Sequence, residues 1–416
     1  MREVKELTGT DFDAFVAITA LAYPGMRLFS AQDRERYKGI LLEMEQDPEI
    51  TFWGLFQADR LLGGMAIHDF SLRLHSARVG AGGLDMMAVD FLHKRQKVAR
   101  DLTAFFLDDC RRKGYPLAML YPFRPDFYKQ MGFGYGPKLN QYRVKPASLP
   151  CGPSQAHVRL LDEADEAALL ACYNRHADRT HGMIRRSSFE LKRLMGRADF
   201  RYAGYVEGDQ VLGYLQFGFQ RGKDDNWLIN DLIVRECVYE SRQVLAELLT
   251  FLHSQLDQIH QVVFHLHDDG FHHLFFDPRN GSDNIMWPVY QECNVQGIGL
   301  MYRLVDVPGV FRALQGHNFG GQSCRLEIVL RDSFLPHNDG RTVVHFEDGR
   351  PHLKEGGAFD VSITLDVAEF SSLLLGVINF ERLYRYGLAE ISDVQRLGVV
   401  DALFRVWEKP VCTTVF

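Results

Sequence analysis

Residues 86–102 read MMAVDFLHKRQKVARDL, and this stretch decides how the first third of the 416-residue chain is interpreted. An apolar run ends at Val89, a basic segment follows, and the apolar positions after it recur at helical spacing. A strand that leads through a basic turn into a helix creates an anion site, because free backbone N–H groups and the positive end of the helix dipole converge there. A solvated basic turn before an ordinary helix has the same pattern. The stretch alone leaves both interpretations open.

A second stretch, FYKQMGF at residues 127–133, favours the anion site. It follows the basic turn after one predicted helix and one predicted strand. Together the two stretches resemble the signatures of the GNAT superfamily of acyl-CoA-dependent N-acetyltransferases, V-x-P-x-x-[RQ]-x-x-G-x-[GA] and FYxxxGF. Residues 127–133 match the second signature throughout. The positions that fall on the spacing of the first are Val89, Lys94, Val98, Ala99 and Leu102.

Two residues depart from the first signature. Phe91 stands where Pro is usual, and Lys97 stands where Gly is usual. If the backbone needs a positive φ at this position, a lysine restricts the geometry of the loop. The same lysine would equally supply an additional phosphate contact.

Over the whole chain the resemblance extends to the Eis (enhanced intracellular survival) branch of that superfamily. It implies an α/β (α+β) fold with two tandem GNAT domains and a C-terminal α+β domain of the sterol-carrier-protein type. The expected domains are a catalytic GNAT domain over 1–150, a degenerate second GNAT domain over 151–300 and the sterol-carrier-like domain over 301–416. A Gly- and Pro-rich stretch supports the boundary near Pro150. The strand patterns after residue 300 are interpreted as antiparallel.

The resemblance also implies acetyl-CoA as the co-substrate and assigns residues to it. The acetyl-CoA chain is expected along the strand, and the pyrophosphate in the basic turn, with Arg95 in direct contact because its planar fork suits a phosphate. The expected strand residues are Met87, Ala88 and Val89, and the expected turn residues are Lys94, Arg95, Lys97, Val98 and Ala99.

Two residues are expected to carry the chemistry. Acetylation of an amine requires a neutral nucleophile, a held thioester and an acid for the departing thiolate. Tyr128 matches the general-acid tyrosine of the family, and a phenol with an ordinary pKa near 10 can donate that proton. The Eis-like proteins are thought to use their terminal carboxylate as the base, which here implies Phe416 at the end of an apolar tail. The alternatives are a core tyrosine and a last edge strand.

Composition and charge exclude other classes of protein. With a net charge of −7, the chain lacks the excess of positive charge that is typical of a nucleic-acid-binding protein. No apolar stretch reaches the length of a membrane span and no secretory signal is visible, so a cytoplasmic protein is expected. His265 and His267 share one face of a predicted strand, but no third ligand stands at a recognisable spacing, and no metal is expected.

The sequence therefore predicts an acetyl-CoA-dependent N-acetyltransferase. The acceptor suggested by the Eis-like resemblance is a primary amine of a polycationic small molecule, such as an aminoglycoside, or a Lys side chain. The resemblance also implies a homohexamer. The alternative is a non-catalytic binding protein that carries an apolar ligand in its C-terminal domain.

Overall fold

The computed structural model describes residues 2–222, 227–354 and 356–416. The strands, in chain order, are β1 Arg2–Glu6, β2 Ile50–Gln57, β3 Arg60–Leu74, β4 Ala77–Val89, β5 Leu117–Leu120, β6 Gly134–Tyr135, β7 Lys138–Val144, β8 Val158–Leu161, β9 Arg201–Glu207, β10 Gln210–Arg221, β11 Asn230–Tyr239, β12 Ile259–Leu266, β13 Ile285–Met286, β14 Tyr290–Gln291, β15 Asn294–Ile298, β16 Met301–Leu304, β17 Cys324–Arg331, β18 Gly340–Glu347, β19 Arg350–Lys354, β20 Val361–Asp366 and β21 Ala389–Ile391.

The α-helices lie between these strands as expected for a mixed α/β chain. They are α1 Phe12–Ala22, α2 Ala31–Glu45, α3 Val98–Arg112, α4 Pro125–Lys129, α5 Glu166–Arg179, α6 Ser188–Met195, α7 Arg242–His253, α8 Val307–Ala313, α9 Val367–Leu374, α10 Phe380–Arg385 and α11 Leu397–Phe404. Short 3₁₀ turns cover Pro24–Met26, Phe91–His93, Pro146–Ser148, Glu163–Asp165, Phe271–Leu274 and Val394–Arg396. No helix within the described ranges has the length and apolarity needed to cross a membrane.

The chain divides into two compact units. The first comprises Met1–Gly136, Leu300–Pro410 and Thr414–Phe416, and the second comprises Pro137–Gly299 and Val411–Thr413. Each unit has its own sheet and its own apolar core.

The main sheet of the first unit has the order β1-β2-β3-β4-β5-β16-β6. Its β4 and β5 run parallel, which requires the helical crossover α3 between them. The predicted helical face of α3 is confirmed, because Leu102, Phe106 and Cys110 are all fully buried against the sheet. Gly82 of β4 makes this close packing possible, since a Cβ there would lie 2.3 Å from the sulfur of Cys110.

The first unit also contains a five-stranded sheet of order β19-β18-β17-β20-β21. The expectation of purely antiparallel strands after residue 300 is wrong for one pair, because β17 and β20 run parallel, from Leu326↔Val361 to Arg331↔Asp366. Alternating apolar residues predict the strands themselves, but the alternation does not indicate whether two neighbouring strands run parallel or antiparallel.

The sheet of the second unit has the order β15-β7-β12-β11-β10-β9-β8. Among the described strands of this sheet, β11 and β12 form the only parallel pair, and helix α7 connects them. His265 and His267 lie in this unit, where His265 contacts the Gln141 side chain at 2.8 Å and His267 contacts backbone carbonyl oxygens.

Two strands cross the predicted domain boundaries. β7 precedes Pro150 yet pairs with β12 and β15 in the second unit. β16 follows residue 300 yet pairs with β5 and β6 in the first. Each of the two seven-stranded sheets therefore takes one strand from beyond a predicted boundary, while the boundaries themselves stay a prediction.

Candidate active site

The parallel strands β4 and β5 separate at one end and leave a cleft. They pair from Ala81↔Leu117 to Leu84↔Leu120, and β4 then continues to Val89 beside β3 alone. Where the cleft begins, the β3–β4 register shifts and Met86 adopts a positive φ of 52°. A bulge of this kind bends the strand and re-aims its side chains.

Backbone polar groups of β4 are directed into this cleft. The Asp90 N–H donates to the Leu62 carbonyl at 2.8 Å, which makes Gly63 and Val89 a non-hydrogen-bonded pair. The N–H and C=O of Val89 therefore point away from β3, towards the side where β5 no longer pairs. Ala88 has the opposite orientation and is fully buried. Of the predicted strand residues, Val89 is placed best for a ligand that pairs with the strand.

A cavity of about 290 Å³ lies at the same end of β4. It is walled mainly by aromatic and methionine side chains and contains one carboxylate. Its lining residues are Tyr23, Met26, Tyr37, Leu84, Asp85, Met86, Met87, Tyr121, Phe123 and Tyr128. Of these lining residues, Met87 and Tyr128 were predicted from the sequence as site residues. The other lining residues could not be predicted, because the topology of the fold, and not their spacing in the chain, brings them together.

Tyr128, the predicted acid, lies on α4 and is 3 % exposed. Its ring packs edge-on against Phe127 and Phe133, at centroid distances of 5.1 and 5.8 Å. Burial raises the pKa of its phenol above the ordinary value, with a smaller contribution from Tyr23. The expectation of an ordinary pKa is therefore wrong, because desolvation disfavours the phenolate. The phenol stays protonated through the neutral range, as an acid catalyst must.

Two further tyrosines of the cavity have their hydroxyl groups engaged. Tyr23 donates to the Met87 carbonyl at 2.6 Å, and the Tyr37 hydroxyl lies 3.8 Å from the sulfur of Met86. Burial, followed by the charge of Asp85, raises the pKa of Tyr23 to about 12. The same two causes raise the pKa of Tyr37. Both phenols are neutral at physiological pH.

The helix that carries Tyr128 is held from the C-terminal part of the first unit. Arg303 of β16 is fully buried; its Nη1 donates to the Gly132 carbonyl at 3.2 Å and its Nη2 donates to both carboxylate oxygens of Asp332 at 2.7 and 2.8 Å. Gly132 has a φ of 81°, and any Cβ there would overlap the Arg303 guanidinium. Lys129 forms an ion pair with Glu369 of α9. The glycine of the FYxxxGF signature is thus required both by its backbone conformation and by the arginine packed on it.

The basic turn between β4 and α3 is exposed and strained. Arg95 and Lys97 both have a φ of 64°, and Lys97 is the N-cap of α3. The left-handed conformation costs a residue with a Cβ roughly 1–2 kcal/mol, so the glycine of the family signature is replaced here at a cost in stability. The side chains of Lys94, Arg95 and Lys97 are exposed and, in the part of the chain that is described, form no ion pair. Lys94 lies over the Phe91 ring at 4.5 Å, and three exposed cationic side chains thus precede a 15-residue helix.

The remaining turn residues are placed as a structural support. Val98 is 1 % exposed in the core under the turn, and Ala99 is partly buried beside it. Asp90 holds the other end of the turn by accepting from the Leu92 N–H at 3.0 Å and pairing with Arg60 at 2.9 Å. Desolvation opposes ionisation of Asp90, but these hydrogen bonds outweigh it and lower its pKa.

Residues 414–416 of the predicted C-terminal tail lie against the first unit near the cavity. The Thr414 carbonyl accepts from the Tyr121 hydroxyl at 3.1 Å. The Phe416 ring contacts Phe70 and Tyr121, at centroid distances of 4.8 and 5.3 Å, while Val415 is 80 % exposed. Because Tyr121 also lines the cavity, the tail reaches the rim of the site.

On the sequence-based expectation that Arg95 contacts the pyrophosphate, replacing it by Gln should weaken binding of acetyl-CoA about 10- to 100-fold, the effect of losing one charge-assisted hydrogen bond. Calorimetric titration with acetyl-CoA and with S-acetylpantetheine, which lacks the pyrophosphate, measures this. Only acetyl-CoA should bind more weakly. The matched control is Arg111→Gln at the far end of α3, where the arginine pairs with Asp108 in solvent. Equal losses for the two ligands would contradict a phosphate contact.

Comparisons with known proteins identify the domains. The family model described as "Acetyltransferase (GNAT) domain" matches residues 3–136, and a second model of the same description matches residues 160–303. A "Sterol carrier protein domain" matches residues 307–413. A protein of Streptomyces griseus named "Uncharacterized N-acetyltransferase" is 25 % identical over 395 residues, which cover 87 % of this chain and 88 % of the relative. The chain belongs to the GNAT N-acetyltransferases. It is therefore an acetyltransferase enzyme.

Solved structures show the same fold over the entire GNAT chain. The GCN5-related N-acetyltransferase from Anabaena variabilis is 18 % identical, with a TM-score of 0.80 and 100 % of both chains covered. Eis1 from Mycobacterium abscessus is 22 % identical, with a TM-score of 0.77 and the same coverage. A Streptomyces avermitilis relative, also named an N-acetyltransferase, is 24 % identical over 400 residues, 91 % of this chain and 90 % of its own. The predicted Eis-like fold, with two GNAT domains and a sterol-carrier-type domain, is confirmed.

Proposed function

We propose that this GNAT enzyme transfers the acetyl group of acetyl-CoA to a primary amine, carried by a polycationic small molecule of the aminoglycoside kind or by a Lys side chain. The observation that carries the proposal is the cavity itself. It lies at the bulge of β4, has the Tyr128 phenol in its wall and the Phe416 tail at its rim, and contains a carboxylate able to face a cation. An acceptor amine is cationic before it reacts, so it suits an aromatic cavity with a negative charge.

Acetyl-CoA is proposed to lie in the cleft between β4 and β5. Its pantetheine amides would pair with the strand at residues 87–89, where the backbone groups of Val89 are directed outwards. Its pyrophosphate would meet the N-terminus of α3 and the exposed side chains of Lys94, Arg95 and Lys97. Val98 and Ala99 would then support the backbone under the phosphates.

In the proposed mechanism, the neutral amine attacks the carbonyl carbon of the thioester and the C–S bond then breaks. Tyr128 gives its phenolic proton to the departing thiolate, and the proton that the base removes from the nitrogen is passed on to restore the phenol. The raised pKa of Tyr128 means that little of the enzyme holds the phenolate in the resting state. Its place in the cavity wall supports this role.

Phe416 is proposed to supply the base through its α-carboxylate. The support is the position of its side chain beside Phe70 and Tyr121, which brings the backbone of the last residue to the rim of the cavity. The proposal requires the mature chain to end at Phe416, and intact-mass spectrometry of the native protein checks that requirement.

The test of the function is release of CoA from acetyl-CoA with a panel of polyamines, aminoglycosides and lysine peptides. Turnover that depends on both the amine and Tyr128 supports the proposal. Absence of turnover with every amine, together with absence of acetyl-CoA binding, would contradict the proposed function.

Removing Phe416, or adding one Gly after it, should lower kcat about 100-fold or more, the usual contribution of a general base. The Gly extension is the sharper variant, because it keeps the ring and moves only the carboxylate. Single-turnover kinetics with saturating acetyl-CoA measure the effect. The control is Val415→Ala, which changes an exposed neighbour and keeps the terminus. If the extended enzyme works at the normal rate, the base is another group.

The domain boundaries at 150 and 300, the cytoplasmic location and the homohexamer also stay proposals. Light scattering on the purified protein measures the assembly, with six copies as the expected result. A binding role of the sterol-carrier-type domain for an apolar ligand is not supported by any particular contact and is not proposed further.

A further inference from the structure

The carboxylate of Asp85 faces the cavity without a cationic side-chain partner other than a histidine. One oxygen accepts from the Met86 N–H at 2.6 Å, and the other lies 3.4 Å from Nε2 of His68. Within the described ranges, no Lys or Arg forms an ion pair with it. The side chain is 20 % exposed, so part of it is open to solvent.

The tyrosines around Asp85 do not neutralise it. Tyr23 donates to the Met87 carbonyl and the Tyr37 hydroxyl is directed to the sulfur of Met86, so neither donates to the carboxylate. The charge of Asp85 nevertheless contributes, after burial, to raising the pKa values of both phenols. A largely buried anion is costly unless a cation or further hydrogen bonds compensate it. Among the described residues no Lys or Arg compensates this carboxylate, so a cationic group of a ligand could do so.

His68 is the side chain that holds Asp85 in place. It is 5 % exposed and stacks on Phe70 at a centroid distance of 5.3 Å, while the Phe416 ring lies 5.8 Å away. Its Nε2 lies 3.4 Å from an oxygen of Asp85 and has no hydrogen-bond partner among the described residues. A buried polar atom without a hydrogen bond, next to a carboxylate that lines the cavity, is a second indication that a ligand completes this cluster.

We propose that Asp85 binds the ammonium group of the acceptor and takes its first proton, while His68 positions the carboxylate. The inference rests on the proposed function and adds to it a step before the attack on the thioester. The ammonium N–H bond breaks, its electron pair stays on nitrogen, and the proton moves to an oxygen of Asp85. The carboxylic acid returns that proton to water through the open side of the cavity. The second proton leaves the nitrogen only after the new C–N bond has formed, and the base of the proposed mechanism removes it.

The same geometry indicates the class of acceptor. The cavity holds about 290 Å³, and its lining has one carboxylate among aromatic rings, methionines and Leu84. Aromatic faces attract an ammonium group, and most strongly where water is excluded. One carboxylate matches one charge at the reacting end. The cavity therefore selects a primary ammonium on a slender aliphatic chain, of the lysine or linear polyamine kind, over an amine attached directly to a bulky ring with several charges.

The test is Asp85→Asn, assayed with Nα-acetyl-lysine amide, spermidine and kanamycin. The matched control is Asp59→Asn, which removes the same charge from an exposed turn of the same unit. We expect wild type to prefer the two slender amines. In Asp85→Asn, the KM for these amines should rise about 10- to 100-fold and kcat should fall, while acetyl-CoA binds as before. The deficit should shrink as the assay pH approaches the amine pKa of about 10.4, because free amine then needs no proton acceptor.

The outcomes separate the two proposals. No acetylation of any amine by wild type would overturn the proposed function. Acetylation by wild type with unchanged KM, kcat and pH profile in Asp85→Asn would overturn only the present inference. A preference for kanamycin would overturn the assignment of the acceptor class. His68→Gln, which keeps a polar group, should lose less activity than His68→Phe. If the two lose activity equally while both fold, judged by circular dichroism and acetyl-CoA affinity, His68 does not position Asp85.

Discussion

Replacing Tyr128 by Phe should lower kcat about 100- to 10,000-fold and leave the affinity for acetyl-CoA unchanged. The ring stays in its aromatic cluster with Phe127 and Phe133, so the change removes only the hydroxyl group that carries the proton. The thiolate would then have to leave without an acid. Steady-state kinetics with the best amine of the panel, combined with calorimetric binding of acetyl-CoA, measure the two quantities separately.

The control for this variant is Tyr135→Phe, which removes a hydroxyl from a tyrosine that is 38 % exposed in the same unit. Its kcat should not change. The pH profile adds a further check. Since burial raises the pKa of Tyr128, loss of its proton should cause no alkaline fall in kcat below pH about 10. A wild-type rate that falls with an apparent pKa near 8, and keeps that fall in Tyr128→Phe, would show that another group limits the rate; loss of that fall in Tyr128→Phe would contradict the raised pKa of Tyr128.

Replacing Arg303 by Met should lower the free energy of unfolding by about 3–5 kcal/mol, because it leaves the Asp332 carboxylate buried without its partner. Asp332 would retain its hydrogen bonds from the backbone of Phe334 and Leu335, but not its charge compensation. Activity should fall with stability, since Arg303 also fixes Gly132 beside the helix of Tyr128. Urea titration followed by tryptophan fluorescence and by activity measures both effects.

The matched control is Arg331→Met. Arg331 also forms an ion pair, with Glu390, but both side chains are largely exposed. Such surface pairs contribute little, so its unfolding midpoint should hardly move. If Arg303→Met were as stable as this control, the buried pair would not support the helix that carries Tyr128.

The local features of the site could be predicted because they depend on neighbours in the sequence. The strand, basic turn and helix from Met86 to Leu102 follow from hydrophobic periodicity, and the structure has them in that order. The positive φ at Lys97 also follows from local pattern, since the signature has Gly at that position. The identity of Tyr128 as a cavity residue came from the FYxxxGF match, not from spacing.

The long-range features could not be predicted from one sequence. Asp85 and His68 lie on neighbouring strands, and only the β3–β4 register brings them within 3.4 Å. Tyr23 directly follows α1 and Tyr37 lies on α2, and no motif identifies either as a cavity residue. The pKa of Tyr128 depends on burial, which becomes known only when the fold is known. The parallel direction of β20 is likewise a property of the connection and not of the strand pattern.

The place of β16 in the first sheet has a consequence for how the enzyme is made. Residues 301–304 lie between β5 and β6, so the sheet next to the FYKQMGF segment lacks a strand until this part of the chain has left the ribosome. Domains generally fold during synthesis as soon as their residues are available. Here the segment that contains α4 and Tyr128 leaves the ribosome early. Strand β16, its neighbour in the sheet, follows only after residues 137–299 have been synthesised. A gene fragment that ends after the first GNAT match would therefore yield an unfinished sheet, and a nascent chain would gain catalytic competence only near the end of translation.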